Sequence, residues 1–155
     1  MSAVAVGSNM LQIQRSFPFD PVAFIGKGWT IAEQDERSLA LTKVDLNNIT
    51  FETMLRSGER MIADEEILLR LKEIGHVRLD ARIFQIFWEN HSLIPESWKS
   101  MERIYFHGTV VLGWGTPGGW RCVFCLSWEG GSWHWHCDWL GCDWDGKCNS
   151  ACLAS

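Results

Sequence analysis

Two stretches in the middle of the chain carry apolar residues at the three-to-four-residue spacing of a helix that buries one face. Asp64 can cap the first helix and Gly75 can end it, and Asp80 can cap the second. A shorter helix is predicted to begin at Thr50, another residue type that caps helices. The apolar faces of the three predicted helices are, in chain order, Phe51, Met54 and Leu55; Ile67, Leu68, Leu71 and Ile74; and Ile83, Phe84, Phe87 and Trp88.

The segments before these helices have weaker patterns. Residues 1–15 show little periodicity and are predicted to form a flexible arm or an edge strand. Asp20 followed by Pro21 predicts one short helical turn, which Gly26 ends. Residues 38–44 are predicted to form a strand.

The last third of the chain is rich in β-branched and aromatic residues, which favour strands. It predicts three strands, over residues 103–112, 120–128 and 133–140. A Gly/Pro-rich loop at 113–119 and a Glu-Gly-Gly-Ser connection at 129–132 join them into an antiparallel β-meander. The predicted fold class is therefore α+β, with a helical N-terminal region packed on this meander, and residues 16–155 form one domain.

The second and third strands form a hairpin that contains five tryptophans, at positions 120, 128, 133, 135 and 139. Because side chains alternate along a strand, Trp128 and Cys122 share one face of the second strand. A four-residue loop pairs Trp128 with Trp133 and Cys122 with Trp139, so both apolar rows lie on one side of the sheet. We interpret this side as the core face that the helices cover, although such a row can also be an aromatic platform for a ligand.

Two further tryptophans lie outside these rows. Trp114 falls in the predicted 113–119 loop, and Trp144 follows the third strand. Both are predicted to be exposed, which makes them the candidate binding residues for a protein or a small ligand.

The other side of the hairpin suggests a metal site. His134 and His136 are two residues apart on one strand, and the register places Cys125 opposite His136, with Asp138 next along the row. Imidazole, thiolate and carboxylate groups are zinc ligands. The alternative is a solvated polar face on which these residues bind no metal. Zinc is the one cofactor that the sequence suggests.

All six cysteines lie in the last 34 residues. Cys122 and Cys125 have the spacing of a zinc-ligand pair, but on a strand they face opposite sides. The cysteines of the predicted loop-like tail, Cys142, Cys148 and Cys152, could bind a metal or form disulfides. The simplest interpretation is that all six are free thiols that pack as small apolar groups.

Composition narrows the class of protein. A chain of 155 residues with 46% hydrophobic residues fits one globular domain. A net charge of −5 argues against a nucleic-acid partner, because binding to phosphates needs concentrated basic charge. The N-terminal residues do not resemble a signal peptide, and no apolar stretch is long enough to span a membrane. We therefore expect a cytoplasmic protein with no membrane partner.

Catalytic motifs give little support to an enzyme. Residues 113–118 match a dinucleotide-binding fingerprint in letters, but they lead into a strand and not into a helix. His76, His91 and His107 are scattered and are interpreted as structural. The predicted function is a non-catalytic binding or protein-interaction module with exposed aromatic residues. The alternatives are a zinc-binding protein that uses His134, His136 and Cys125, and a small hydrolase.

Several longer strings carry a resemblance to a known family. They are FDPVAFIG at 19–26, QDERSLAL at 34–41, RLDA at 78–81, LIPESWK at 93–99, and a closing pattern W-x-G-G-x-W-x-W-x3-W-L…D-W…S-A-x-L-A-S. The chain resembles a family of small uncharacterised proteins of candidate-phyla bacteria. The resemblance implies no activity. It implies a Gly-Thr-Val β-segment, which residues 106–110 fit, and it weighs against a metal site because other residues usually stand at the Cys and His positions.

Overall fold

The computed structural model of the protein describes residues 9–113 and 119–154. The α-helices are α1 (Pro21–Phe24), α2 (Glu36–Leu39), α3 (Asp64–Ile74) and α4 (Ala81–Glu89). The strands are β1 (Met10–Gln12), β2 (Thr30–Gln34), β3 (Lys43–Asp45), β4 (Ile49–Glu52), β5 (Met61–Ala63), β6 (Val77–Arg78), β7 (Arg103–Gly113), β8 (Trp120–Glu129), β9 (Ser132–Trp139), β10 (Asp143–Asp145) and β11 (Cys148–Leu153). Short 3-10 helices occupy Leu46–Asn48, His91–Leu93 and Glu96–Ser100. No helix in these parts of the chain is long and apolar enough to cross a membrane.

A seven-stranded sheet forms the centre of the molecule. Its main path runs β4-β11-β7-β8-β9, and β2 and β6 pair with β7 and β11. The long strand β7 pairs with β8 along one side, and on the other side with β11 at its start and β2 at its end. Only the β11–β7 pair is parallel among the described pairs. The fold is thus mixed α/β and consists mostly of sheet.

Helices cover both faces of this sheet. On one face α4 packs Phe84 and Phe87 into a cluster with Phe106 and Phe124. On the other face α3 packs its apolar side onto the sheet in a second cluster, which includes Ile67, Leu68, Leu71, Tyr105, Val123 and Cys125. The prediction that the helices cover one face is wrong, because each of the two longer helices has its own side of the sheet.

The predicted hairpin register is confirmed. Trp128 pairs with Trp133, Cys125 with His136, and Cys122 with Trp139. The predicted cap of α4 is also confirmed, since the Asp80 carboxylate accepts the N–H groups of Arg82 and Ile83. The α1 turn begins at Pro21 after Asp20, as predicted. The helix predicted from Asp64 forms and ends at Gly75, but Asp64 is its first residue and Ala63 stands at the cap.

Other predicted elements are wrong. Residues 49–52 form β4 and not a helix, because they pair with β11. The predicted strand at 38–44 is wrong over Ser38 and Leu39, which belong to α2, where Asp35 accepts the N–H of Arg37. Its last two residues, Lys43 and Val44, do lie in a strand, β3. The tail predicted as a loop contains β11, so the sheet is more than a meander. The predicted arm at 1–15 is different, because its edge-strand alternative is matched: Met10–Gln12 form a strand that pairs with β3. Residues 1–8 lie outside the described part.

One buried carboxylate ties these elements together. Asp80 receives two hydrogen bonds from Arg15, at 3.1 and 2.9 Å, and one from the Ser38 hydroxyl. Ser38 in turn accepts the N–H of Asp80 at 2.9 Å. The next residue, Ala81, donates its N–H to Thr109 of β7 at 2.9 Å. The segment before α1, helix α2, helix α4 and the central sheet therefore meet at Asp80.

Gly108 of β7 allows the segment that leads into α4 to approach the sheet closely. A Cβ at Gly108 would overlap the backbone of Arg78 and Leu79. The N–H of Gly108 donates to the Leu79 carbonyl at 2.9 Å, so the chain entering α4 lies directly against β7.

The Asp80 contacts give the first prediction. Asp80→Ala removes a buried ion pair and a helix cap together, so we expect the free energy of unfolding to fall by about 3 kcal/mol or more. Asp20→Ala, which removes the exposed cap of α1, serves as the control and is expected to cost about 1 kcal/mol. Urea unfolding measures both. Equal losses for the two variants would contradict the central role of Asp80.

Candidate binding surface

The largest exposed aromatic groups of the sheet lie at one end of the Trp-rich hairpin. Trp120 begins β8 and is 46% exposed, and Trp139 ends β9 and is 49% exposed. Their ring centroids are 6.1 Å apart and their planes are inclined by 30°. The two indoles therefore form one small aromatic surface.

Two glycines make room for this surface. A Cβ at Gly141 would overlap the six-membered ring of Trp139, so that indole lies directly on the Gly141 backbone. A Cβ at Gly113 would lie 2.6 Å from the Trp29 ring, and Gly113 is the register partner of Trp120. Trp29 is half-buried in the adjoining cluster. We call Trp120 and Trp139 the indole patch.

The patch is the uncovered end of the apolar rows that β8 and β9 present to the helices. In the middle of the rows, Phe24 of α1 packs on Trp135 at 4.8 Å, and Phe84 of α4 stacks on Phe124 at 4.8 Å. Trp120 and Trp139 lie at the far end of the same two strands. The apolar pattern thus continues past the helices that cover it, which leaves the last two indoles half-exposed.

The predicted binding residue Trp144 is not exposed. It is 1% accessible, its Nε1–H donates to the Thr53 carbonyl at 2.6 Å, and it packs on Tyr105 and His107. The physical reason is that β10 pairs with β5, which directs Trp144 under the start of α3. The prediction that Trp144 is exposed is therefore wrong. Trp114 lies outside the described residues.

The predicted zinc ligands do not converge in the structure. Cys125 is buried, its thiol donates to the Leu126 carbonyl, and burial raises its pKa well above the ordinary value. His136 bonds Ser127 and His134 bonds Ser132, each at 3.1 Å. Asp138 accepts the hydroxyl of Tyr105 at 2.6 Å. No group of three or more His, Cys, Asp or Glu side chains within residues 9–113 and 119–154 could hold a metal ion.

Sequence reasoning missed a buried chain of three polar groups. Nδ1 of His107 bonds the Ser150 hydroxyl at 2.8 Å, and Nε2 bonds Asp64 Oδ1 at 2.9 Å. The three residues come from β7, β11 and the first turn of α3. No motif could have revealed them, because 43 positions separate His107 from each partner.

This arrangement has the order of groups found in serine hydrolases. However, Ser150 and His107 are both 0% exposed, so no substrate can reach the hydroxyl. The three groups satisfy one another and link two strands to a helix. Their role in the fold is to hold α3 on its face of the sheet.

Comparison with known proteins brings no relative to this chain: it matches no protein-family model, no curated protein and no solved structure. The resemblance to the candidate-phyla family stays a prediction.

The buried chain gives the second prediction. Ser150→Ala leaves one nitrogen of His107 without a partner, so we expect the free energy of unfolding to fall by about 1 to 2 kcal/mol. Ser100→Ala is the control, since the Ser100 hydroxyl bonds a carbonyl at the exposed surface, and we expect a change below about 0.5 kcal/mol. Unchanged stability of Ser150→Ala, together with loss of an ester-hydrolysing activity, would favour the hydrolase alternative.

Proposed function

We propose that this chain is a non-catalytic binding module whose indole patch binds a neutral oligosaccharide. The observation that carries the proposal is the adjacent, half-exposed pair Trp120 and Trp139. Indole faces stack well on flat apolar faces, and the C–H face of a sugar ring is such a surface.

The size of the patch favours a small ligand. One aromatic side chain has a surface of about 150–250 Å². Because Trp120 and Trp139 are each about half exposed, the patch presents roughly 200 Å² to solvent. A stable protein interface needs about 800 Å² on each partner. The patch is therefore suited to one or two sugar rings.

Charge and ring geometry narrow the ligand class. The net charge of −5 disfavours ligands that carry phosphate groups. For a flat nucleobase to stack between two indoles, the indole rings would have to be about 7 Å apart, which is two contact distances of about 3.5 Å. The Trp120 and Trp139 centroids are 6.1 Å apart, so no base fits between them. A ligand must lie across the outer faces, as a chain of sugar rings can.

The charged groups behind the patch do not provide an acid for glycoside cleavage. Arg121, next to Trp120 in the chain, pairs with Glu33 at 3.4 Å and Glu65 at 3.0 Å. Although burial favours the neutral carboxyl, hydrogen bonds and charge from Lys72 and Arg121 hold the pKa of Glu33 below its ordinary value. A general acid for glycoside hydrolysis needs a raised pKa. These observations favour binding without hydrolysis.

Tryptophan fluorescence tests the proposal. The protein is titrated with hexasaccharides of glucose, xylose and N-acetylglucosamine, and at least one is expected to bind and change the emission. Trp120→Ala and Trp139→Ala are each expected to weaken that binding about tenfold or more, because stacking on one ring contributes on the order of 1–3 kcal/mol.

A glycine pair supplies a matched control. Gly141→Ala forces the Trp139 indole to move and should weaken the same binding, whereas a Cβ at Gly146 meets no atom within 4 Å and Gly146→Ala should bind normally. Absence of binding to all three sugars would contradict the proposal. Binding that survives both tryptophan variants would contradict the assigned patch. Binding of free adenosine at the patch, in place of sugars, would overturn the ligand class.

A further inference from the structure

Two of the six cysteines are neighbours across β8 and β9. Cys122 pairs with Trp139, and Cys137 pairs with Phe124. Cys137 is therefore two residues from the register partner of Cys122, which makes the two cysteines diagonal neighbours on adjacent strands. Their side chains lie on the same face of the sheet and both join the cluster under α4. The right-handed twist of a sheet brings one of its two diagonals closer together. The Cys122 and Cys137 thiols are near enough for each to alter the pKa of the other.

The remaining cysteines have different surroundings. Cys125, Cys148 and Cys152 are buried in the cluster under α3, on the opposite side of the sheet. Cys142 is exposed in the turn after β9. The structure therefore separates one thiol pair from three buried thiols and one surface thiol.

We propose that Cys122 and Cys137 form a reversible disulfide when the protein meets a low-molecular-weight disulfide. Cys137 is partly exposed and is therefore the more accessible of the two residues to an external disulfide. Cys122 is 2% exposed and is its diagonal neighbour on the adjacent strand, in the position of the resolving thiol. The site is thus a dithiol modification site within the hairpin.

The electrostatics of the pair fit this chemistry. A hydrogen bond from Cys137 lowers the pKa of Cys122, and the same bond raises the pKa of Cys137. The pair therefore loses its first proton more easily than an isolated buried thiol and holds the second proton between the two sulfurs. The Cys122 thiolate therefore stands next to Cys137 as a base that can take its proton when the Cys137 sulfur reacts.

The exchange proceeds in two balanced steps. The Cys137 sulfur attacks one sulfur of the external disulfide while its proton passes to the Cys122 thiolate, a mixed disulfide forms, and one small thiolate leaves. Cys122 then attacks the Cys137 sulfur, its proton passes to solvent, and the second small thiolate leaves. The two protein sulfurs lose two electrons in total, and the external disulfide gains them as two thiols.

Glutathione disulfide is the probe, and Cys142→Ser is the parent protein, because the exposed Cys142 can form its own mixed disulfide. After incubation, mass spectrometry of the parent is expected to show a loss of two hydrogens, no attached glutathione, and a peptide that links Cys122 to Cys137. Cys122→Ser in this parent is expected to hold one full equivalent of glutathione on Cys137. Cys137→Ser is expected to hold none.

The wild-type protein is the positive control for reactivity, since its Cys142 should take up glutathione under the same conditions. Two results in the parent would overturn the proposal: a lasting glutathione adduct on Cys137 without the internal link, or free Cys122 and Cys137 under conditions that modify Cys142. Because the parent keeps both thiols of the pair, the test stands even where a serine variant fails to fold.

Discussion

The buried carboxylate of Asp80 is the interaction on which most of this structure depends. It neutralises Arg15, binds the hydroxyl of Ser38 and caps α4. These bonds join segments 65 and 42 residues apart. A buried charge is costly unless charged and hydrogen-bonding partners surround it, so the three segments must come together before Asp80 can be buried. The start of α4 is thereby fixed against β7, and the rest of α4 follows.

The position of α4 decides which part of the Trp-rich hairpin is covered. Phe84 and Phe87 of α4 occupy the middle of the sheet face, where they meet Phe124 and Phe106. The ends of β8 and β9 extend past this cover. On the opposite face, the bonds of His107 to Asp64 and Ser150 hold α3 in the equivalent place. On the face of α4, the exposed indoles are thus a consequence of how far α1 and α4 reach over a longer sheet.

Local patterns predicted the parts of this architecture that depend on near neighbours. The register of β8 and β9 followed from alternation and loop length, and α4 followed from Asp80 and the spacing of Ile83, Phe84 and Phe87. The place of β11 did not follow, because it pairs with β4, about a hundred positions away: Ser150 lies opposite Glu52. The same long-range pairing turned the expected helix at Thr50 into a strand.

The sequence predicted the residue type of the candidate site, exposed tryptophan, but not which tryptophans are exposed. Exposed tryptophan was expected at Trp114, which lies outside the described residues, and at Trp144, whose neighbours in sequence look like a loop. Its burial depends on β10 pairing with β5, which no local pattern reveals. Trp120 and Trp139 belong to the predicted apolar rows, but the interpretation that helices cover these rows is wrong for both residues, which are about half exposed. Their exposure depends on the length of α1 and α4 relative to the sheet, which is a property of the assembled fold.

The most direct test of the account is an NMR titration of the indole N–H groups. In a ¹⁵N-labelled sample, each tryptophan side chain contributes one resonance, and variants assign them. Addition of the hexasaccharide that binds is expected to shift the Trp120 and Trp139 resonances, while Trp98, Trp133 and Trp144, which are buried, stay in place. Shifts at the buried indoles with none at Trp120 and Trp139 would contradict the account.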